Sequence, residues 1–219
     1  MNSKIFTKIS SKNLPLIFVT AMRFESRALL DVFNFKIILK QGRLRLYQLR
    51  NFQVFILQVG MGVRAGEEEI KEQIRSLKPA LLINYGICGA LDPALNSMEM
   101  FIIDKVCAAG EPSILINEQI PKDLISISKA FPNSSLLTVN KSVLNVKKRQ
   151  NIFHESGCAL TDMEAYYIAG SARELSITLI ILKLISDQAD ENTAIHITKN
   201  LQQLKRTLRE SLIRLINLL

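Results

Sequence analysis

The sequence predicts an α/β fold built on a mixed sheet, and three observations carry that prediction. Short apolar runs recur along the chain, several of them leading through glycines or an acid into a helical stretch, as central strands followed by helices do. Between Phe35 and Val59 three β-type runs follow one another without a helix, which reads as an antiparallel meander grafted into a parallel sheet. Two late runs end in acids, Asp162-Met163-Glu164 and Ser186-Asp187. Open α/β sheets place their sites at the C-terminal ends of strands.

Residues 1–13 read as a flexible arm ahead of one domain spanning 14–219. The basic arm and apolar Leu14 to Met22 imitate a signal peptide, but no small-residue cleavage site follows and Arg23-Phe24-Glu25 interrupts the run. Leu16 to Thr20 is the first strand and leads into a helix from near Phe24 to about Val32. Glu25 therefore sits at a strand-to-helix junction. It serves there either as a first-turn acid complementing the helix dipole or as a group of the site. The meander follows as Phe35 to Leu39, Leu44 to Leu49 and Phe52 to Val59, separated by Gly42 and Asn51.

The third run ends in Gly60-Met61-Gly62-Val63-Arg64-Ala65-Gly66, before a helix over Glu67 to Leu77. Such a turn lets backbone N–H groups approach an anion or a sugar, although tight turns need glycine anyway. The strand Ala80 to Tyr85 opens into Gly86-Ile87-Cys88-Gly89, where a ligand again has room to press close. A strand over Met100 to Val106 and a loop through Gly110 precede a helix at Lys122 to Ala130. A strand at Leu136 to Val139 and a helix at Val146 to His154 come next. Glu164 to Leu175 is helical, and Thr178 to Ile185 is the strand that delivers Ser186-Asp187. Taken alone, Asp162 or Asp187 reads as a helix cap; taken together, with the glycine turns upstream, they point to a site. The last helix, Ala194 to Leu219, carries leucines at 201, 204, 208, 212, 215 and 219.

With 219 residues, 48% hydrophobic and without a low-complexity tract, the chain is expected to fold. The net charge of +8 comes from cations that are scattered apart from Lys147-Lys148-Arg149 and the last helix. No aromatic-and-basic signature accompanies them, so a solvated basic face is expected rather than a nucleic-acid partner. Cys88, Cys107 and Cys158 are far apart and form no CxxC, which fits reduced thiols in a cytoplasmic protein. No apolar stretch reaches the roughly 18 to 20 residues that span a bilayer.

Several of these pieces resemble one family in order along nearly the whole chain. They are Thr20-Ala21-Met22-Arg23-Phe24-Glu25, Gly60-Met61-Gly62, Asn84-Tyr85-Gly86-Ile87-Cys88-Gly89-Ala90-Leu91, Asp162-Met163-Glu164-Ala165 and Ser186-Asp187. Together they resemble the nucleoside phosphorylase and nucleosidase superfamily, and within it most the methylthioadenosine/S-adenosylhomocysteine nucleosidases. The resemblance implies a single-domain three-layer α/β/α sandwich that cleaves the N-glycosidic bond of a purine nucleoside, works as a homodimer and needs no cofactor or metal. By the same resemblance Glu25 activates water and Asp187 serves the purine as general acid. Glu164 binds the ribose hydroxyls and Met163 packs under the sugar. Asp162, Gly62, Gly86, Ile87 and Ser186 complete the expected substrate-binding set.

Phosphorylases of the superfamily place arginines where this chain has Glu25 and Asn84, so hydrolysis is expected over phosphorolysis. Arg23, Arg27 and Arg64 keep an anion site open as the alternative. Ile87 stands where the nucleosidases have serine, and Asp162 where they have glutamate. The segment from Leu136 to Asp162 is short and lacks the aromatic base-clamping loop. In this, and in Leu91 to Leu95, the chain resembles the hopanoid-associated branch, whose substrate is a nucleoside with a lipid tail. These departures also leave open a member that binds a nucleoside without turnover. The basic, leucine-striped last helix suits either a weak membrane-surface contact or packing on the sheet.

Overall fold

The computed structural model describes residues 15–62, 66–116, 120–121 and 124–219. The expected N-terminal arm and Arg64 lie outside the described residues. Strand β1 (Leu16–Thr20) is buried along its whole length because alternate residues enter two different cores. Leu16 and Phe18 face one core, and Ile17 and Val19 the other, as in a parallel strand covered on both faces. Parallel to β1 on either side run β4 (Val54–Gln58) and β5 (Leu81–Ala90). Beyond β4 the expected meander is present, through β3 (Leu44–Leu49) to the edge strand β2 (Phe35–Gln41). Its turns hold Gly42 and Asn51, both at positive φ.

On the other side the sheet closes on itself. β10 (Thr178–Asp187) runs parallel to β5, then pairs antiparallel with β6 (Met100–Ala108). β7 (Ile114–Leu115) flanks β6, and β8 (Asn133–Thr138) and β9 (Leu160–Asp162) follow parallel to it. β9 returns antiparallel onto the end of β5, where Gly89 faces Thr161 and Ala90 faces Leu160.

Two sequence expectations change here. The strand expected to stop at Tyr85 continues to Ala90, because β10 pairs with it as far as Gly89 and β9 takes its last residues. The strand carrying Asp162 runs against β5 and β10, not alongside them. Asp162 still reaches the same place, because the ten-residue β5 overshoots β1 and meets β9 beyond it.

Helices cover both faces and make the three layers. On one face lie α2 (Glu67–Leu77), through Ile70 and Ile74, and α5 (Ala165–Glu174), through Ala165, Ile168, Ala169 and Ala172. On the other lie α1 (Arg23–Leu30), the short α3 (Ile125–Ser128) and α6 (Thr193–Leu218). The remaining helix, α4 (Val146–Ser156), is capped by the Asn145 side chain, which accepts from Lys148 N–H at 3.0 Å, and stops at Gly157 with φ +63°. The leucines of α6 at 204, 208, 212 and 215 are buried on the sheet, each contributing about 1.5–3 kcal/mol relative to exposure. Of the two readings of this helix, its apolar stripe serves packing, and Lys199, Arg206 and Arg214 face solvent. No helix among the described residues is long and apolar enough to cross a membrane.

Candidate active site

Glu25 is the third residue of α1, and its carboxylate folds back over the end of β1. Oε2 accepts from Met22 N–H at 2.6 Å, Ala21 N–H at 3.0 Å and the Thr20 hydroxyl at 2.7 Å. Oε1 accepts from Ile87 N–H on β5 at 2.8 Å. The first-turn capping role and the reach into the site are thus one arrangement. Gly86 exists for this carboxylate: a Cβ there would stand 2.5 Å from Glu25 Oε1. Burial pushes the Glu25 carboxyl above its usual range, and the Met22 and Ile87 amides, Lys183 and Thr20 offset part of that push.

Lys183, in the middle of β10, is the functional candidate that sequence reasoning passed over. It pairs across the sheet with Gly86 and is buried, with Nζ 2.8 Å from Asp162 Oδ2. The signal was present: a lysine inside an Ile/Leu run on a doubly covered strand must find carboxylates or lose its charge. Burial acts to lower its pKa, but Asp162, Glu164 and Glu25 outweigh burial and hold it raised.

Asp162 is fully engaged. Its Oδ1 accepts from the Thr138 hydroxyl at 2.7 Å, and Oδ2 accepts from Ala165 N–H at 3.1 Å, beside Lys183. It therefore caps α5 and neutralises Lys183 at the same time, with its side chain 1% exposed. Glu164 follows in the same turn, and its Oε1 accepts from Gly62 N–H at 2.9 Å. The anion met by the glycine turn is thus the protein's own carboxylate. Gly62 makes this approach with φ +71°, its Cα side facing Met163 Cε. Arg43, also not singled out from sequence, ties the turn down by donating to Met61 O at 3.2 Å and Gly62 O at 3.0 Å. Burial, and then the Asp162 charge, push the Glu164 carboxyl up to about 7, against Lys183 and the Gly62 amide.

Asp187 ends β10 in a different setting. Its Oδ1 accepts from Ala189 N–H at 2.8 Å and from the Thr193 hydroxyl at 2.7 Å. Its Oδ2 faces the Ser186 hydroxyl, which also lies 3.1 Å from the Cys88 carbonyl oxygen. Ala189 adopts φ +48° to complete this turn, a strained value for a residue with a Cβ. Thr193 was missed from sequence, since a hydroxyl six positions after an acid carries no pattern of its own.

Glu25, Glu164 and Asp187 meet in one cavity that opens to solvent, with Met163 in its wall. Ile87, Asp162 and Ser186 also border it, whereas Gly62 and Gly86 stand behind the carboxylates they support. Met22, Met61, Val139, Val143 and Ile197 give the rest of the cavity an apolar lining. Among the described residues no arginine or lysine lines it. Of the arginines expected near an anion site, Arg27 is tied to Asp31 at 3.2 Å and Arg23 is exposed.

No protein-family model matches the sequence. The chain is similar to the 5′-methylthioadenosine/S-adenosylhomocysteine nucleosidase of Buchnera aphidicola subsp. Schizaphis graminum, 24% identical over 208 residues that cover 84% of this chain and 88% of that protein. Its fold matches a mutant of the Helicobacter pylori methylthioadenosine nucleosidase with 5′-methylthioadenosine in the active site, with TM-score 0.82 and 15% identity over 94% of this chain and 99% of that one. The native futalosine hydrolase of Helicobacter pylori superposes equally well, with TM-score 0.82 and 15% identity over 96% of this chain and 100% of that one. The chain has the fold of the nucleoside phosphorylase/nucleosidase superfamily and is a sequence relative of its methylthioadenosine/S-adenosylhomocysteine nucleosidases.

Proposed function

We propose that this protein is an N-ribosyl hydrolase that releases the purine from a 5′-substituted adenosine. The observation that carries the reading is the convergence of Glu25, Glu164 and Asp187 on one cavity around Met163. Breaking the C1′–N9 bond develops positive charge on the ribose and negative charge on the base. Asp187 protonates the departing purine at N7, help that is worth ~10²- to 10⁴-fold in rate. Glu164, ionised above about pH 7, binds the ribose hydroxyls and favours the cation-like transition state. Glu25 takes the proton from the attacking water, and a carboxylate whose pKa is raised by burial is the stronger base for it. Asp162 and Lys183 are positioning residues that fix Glu164 and the start of α5. Met163 lies against the sugar with Ile87 beside it, and Ser186 sits behind Asp187 at the base.

The names of the relatives, nucleosidases and a futalosine hydrolase, support hydrolysis. So does the lining: a phosphate dianion entering this cavity meets Glu25 and Glu164 and, among the described residues, no cation on its wall. The apolar lining around Met61, Val143 and Ile197 favours an apolar 5′ substituent. Met61, Leu144 and Ile195 are exposed apolar side chains in or next to that lining, surface of the kind a second copy covers in a homodimer. The free thiols of Cys88, Cys107 and Cys158 fit a cytoplasmic protein. With its leucine stripe buried on the sheet, α6 leaves mostly charged side chains, and Ile195 and Leu218, for a membrane surface.

The test is to incubate the protein with methylthioadenosine and with adenosylhomocysteine, with and without phosphate, and to identify both products. Adenine and the free 5-substituted ribose are expected at the same rate in both buffers. Accumulation of the ribose 1-phosphate, with no base release when phosphate is omitted, overturns the hydrolytic assignment in favour of phosphorolysis. Binding of the nucleosides without any base release leaves a binding protein.

A further inference from the structure

We propose that Ser186 is a positioning residue whose hydroxyl changes partner as Asp187 gives up its proton; the inference rests on the reading of Asp187 as general acid. A serine hydroxyl has one proton and two lone pairs. Ser186, with no exposed surface, faces two acceptors at once, the Cys88 carbonyl oxygen at 3.1 Å and Asp187 Oδ2. It donates to only one of them at a time.

The other oxygen of Asp187 has no such ambiguity. Oδ1 receives Ala189 N–H and the Thr193 hydroxyl. Thr193 Oγ1 itself accepts from Asp190 N–H at 3.3 Å, which leaves its proton for Asp187. Two donors aimed at Oδ1 exclude a third proton there, so the acid form of Asp187 carries its proton on Oδ2. In that form Ser186 donates to the Cys88 carbonyl, and its lone pairs tolerate the neighbouring O–H.

As the C1′–N9 bond breaks, its electron pair passes to the purine, and the proton leaves Asp187 Oδ2 for N7. The negative charge left behind is on Oδ2. Ser186 then releases the Cys88 carbonyl and donates to Oδ2, so a charge-assisted hydrogen bond forms as the charge develops. An interaction that strengthens only along the reaction lowers the barrier without tightening substrate binding. Cys88 O, left by Ser186, is the resting place that keeps the hydroxyl from stabilising the carboxylate too early.

The experiment is a kinetic cycle of Ser186→Ala, Asp187→Asn and the double variant on the nucleoside that the wild type hydrolyses, with Ser186→Thr as the variant that keeps a hydroxyl. A hydrogen bond to a charged group is typically worth ~10- to 100-fold. Ser186→Ala is expected to lower kcat by about that factor with KM little changed. The double variant is expected to be no slower than Asp187→Asn alone, because Ser186 acts only through Asp187. Ser186→Thr, where it folds, recovers most of the loss. A rise in KM with kcat intact, or a kcat within about twofold of wild type, overturns the role of Ser186. An equal loss in both Asp187 backgrounds overturns it too. If Asp187→Asn keeps more than about a tenth of the wild-type rate, the general-acid reading itself falls, whatever Ser186→Ala does.

Discussion

The two ends of the cavity bury their carboxylates by different means. At one end Glu25, Asp162 and Glu164 share a single ammonium, Lys183, and the four groups come from α1, the end of β9, the turn after it and β10. At the other, Asp187 sits among two hydroxyls and one amide that all lie between positions 186 and 193. At the first end charge acting through space adds to burial and to the backbone amides, so the proton affinities of Glu164, Lys183 and, more weakly, Glu25 depend on one another. At the second, the carboxylate meets only neutral donors supplied by the local chain. A mutation that moves any one of these charged groups should therefore disturb the others at the first end, whereas the second end depends on its own short segment.

The strongest way to break this contrast is Lys183→Met. It leaves three buried carboxyl groups around an apolar side chain, and removing one partner of a buried ion pair typically costs about 3–5 kcal/mol. A large drop in melting temperature and loss of activity are expected at pH 8. The drop should be smaller at pH 5, where Glu164, with its pKa near 7, is neutral. A melting temperature unchanged at pH 8 would show that Lys183 does not hold this end together.

Gly86→Ala comes next. The new Cβ would lie 2.5 Å from Glu25 Oε1, so the carboxylate must give up its bond to Ile87 N–H. Overpacking of this kind costs about 1–3 kcal/mol. The expected signature is a modest fall in thermal stability with a much larger fall in kcat. A kcat unchanged by the substitution would mean that the seat of Glu25 over Gly86 is not needed for turnover.

The smallest and sharpest effect belongs to Glu164→Gln. The folded-state pKa of Glu164, about 7, lies above its ordinary value of 4.5, so between those values the folded chain binds more protons than the unfolded one. Stability contributed by this residue is then lost as pH rises through that window. Replacing it with the neutral amide, which still accepts from Gly62 N–H, should raise the melting temperature relative to wild type more at pH 8 than at pH 5. In the same comparison the wild-type kcat should climb as pH rises through about 7, and that limb should be missing from the variant. A melting difference independent of pH would remove Glu164 from the charge-tuned end.

How legible the molecule was follows the same division. Helix α2 spans Glu67–Leu77, as expected after the glycine turn, and the meander turns at Gly42 and Asn51, because these features depend on neighbours a few residues away. Glu25, Glu164 and Asp187 were readable as acids at strand ends, and the apolar stripe of α6 as a buried face. The strand rule also misled. Gly86 to Ala90 looks like a turn, yet it is strand, because β10 and β9 supply hydrogen-bond partners that local sequence does not reveal.

By itself the sequence determined which segments bury an apolar face, and that Lys183, the one cation in its strand, needed a counter-charge. The identity of that counter-charge, the direction of β9 and the meeting of Gly62 N–H with Glu164 were decided by the tertiary structure. Hydrophobic periodicity is a short-range signal, whereas the partner of a buried charge is whichever carboxylate the closing of the sheet brings within a few ångströms. Gly62 and Glu164 are 102 positions apart, and only the return of β9 onto the end of β5 puts them in contact.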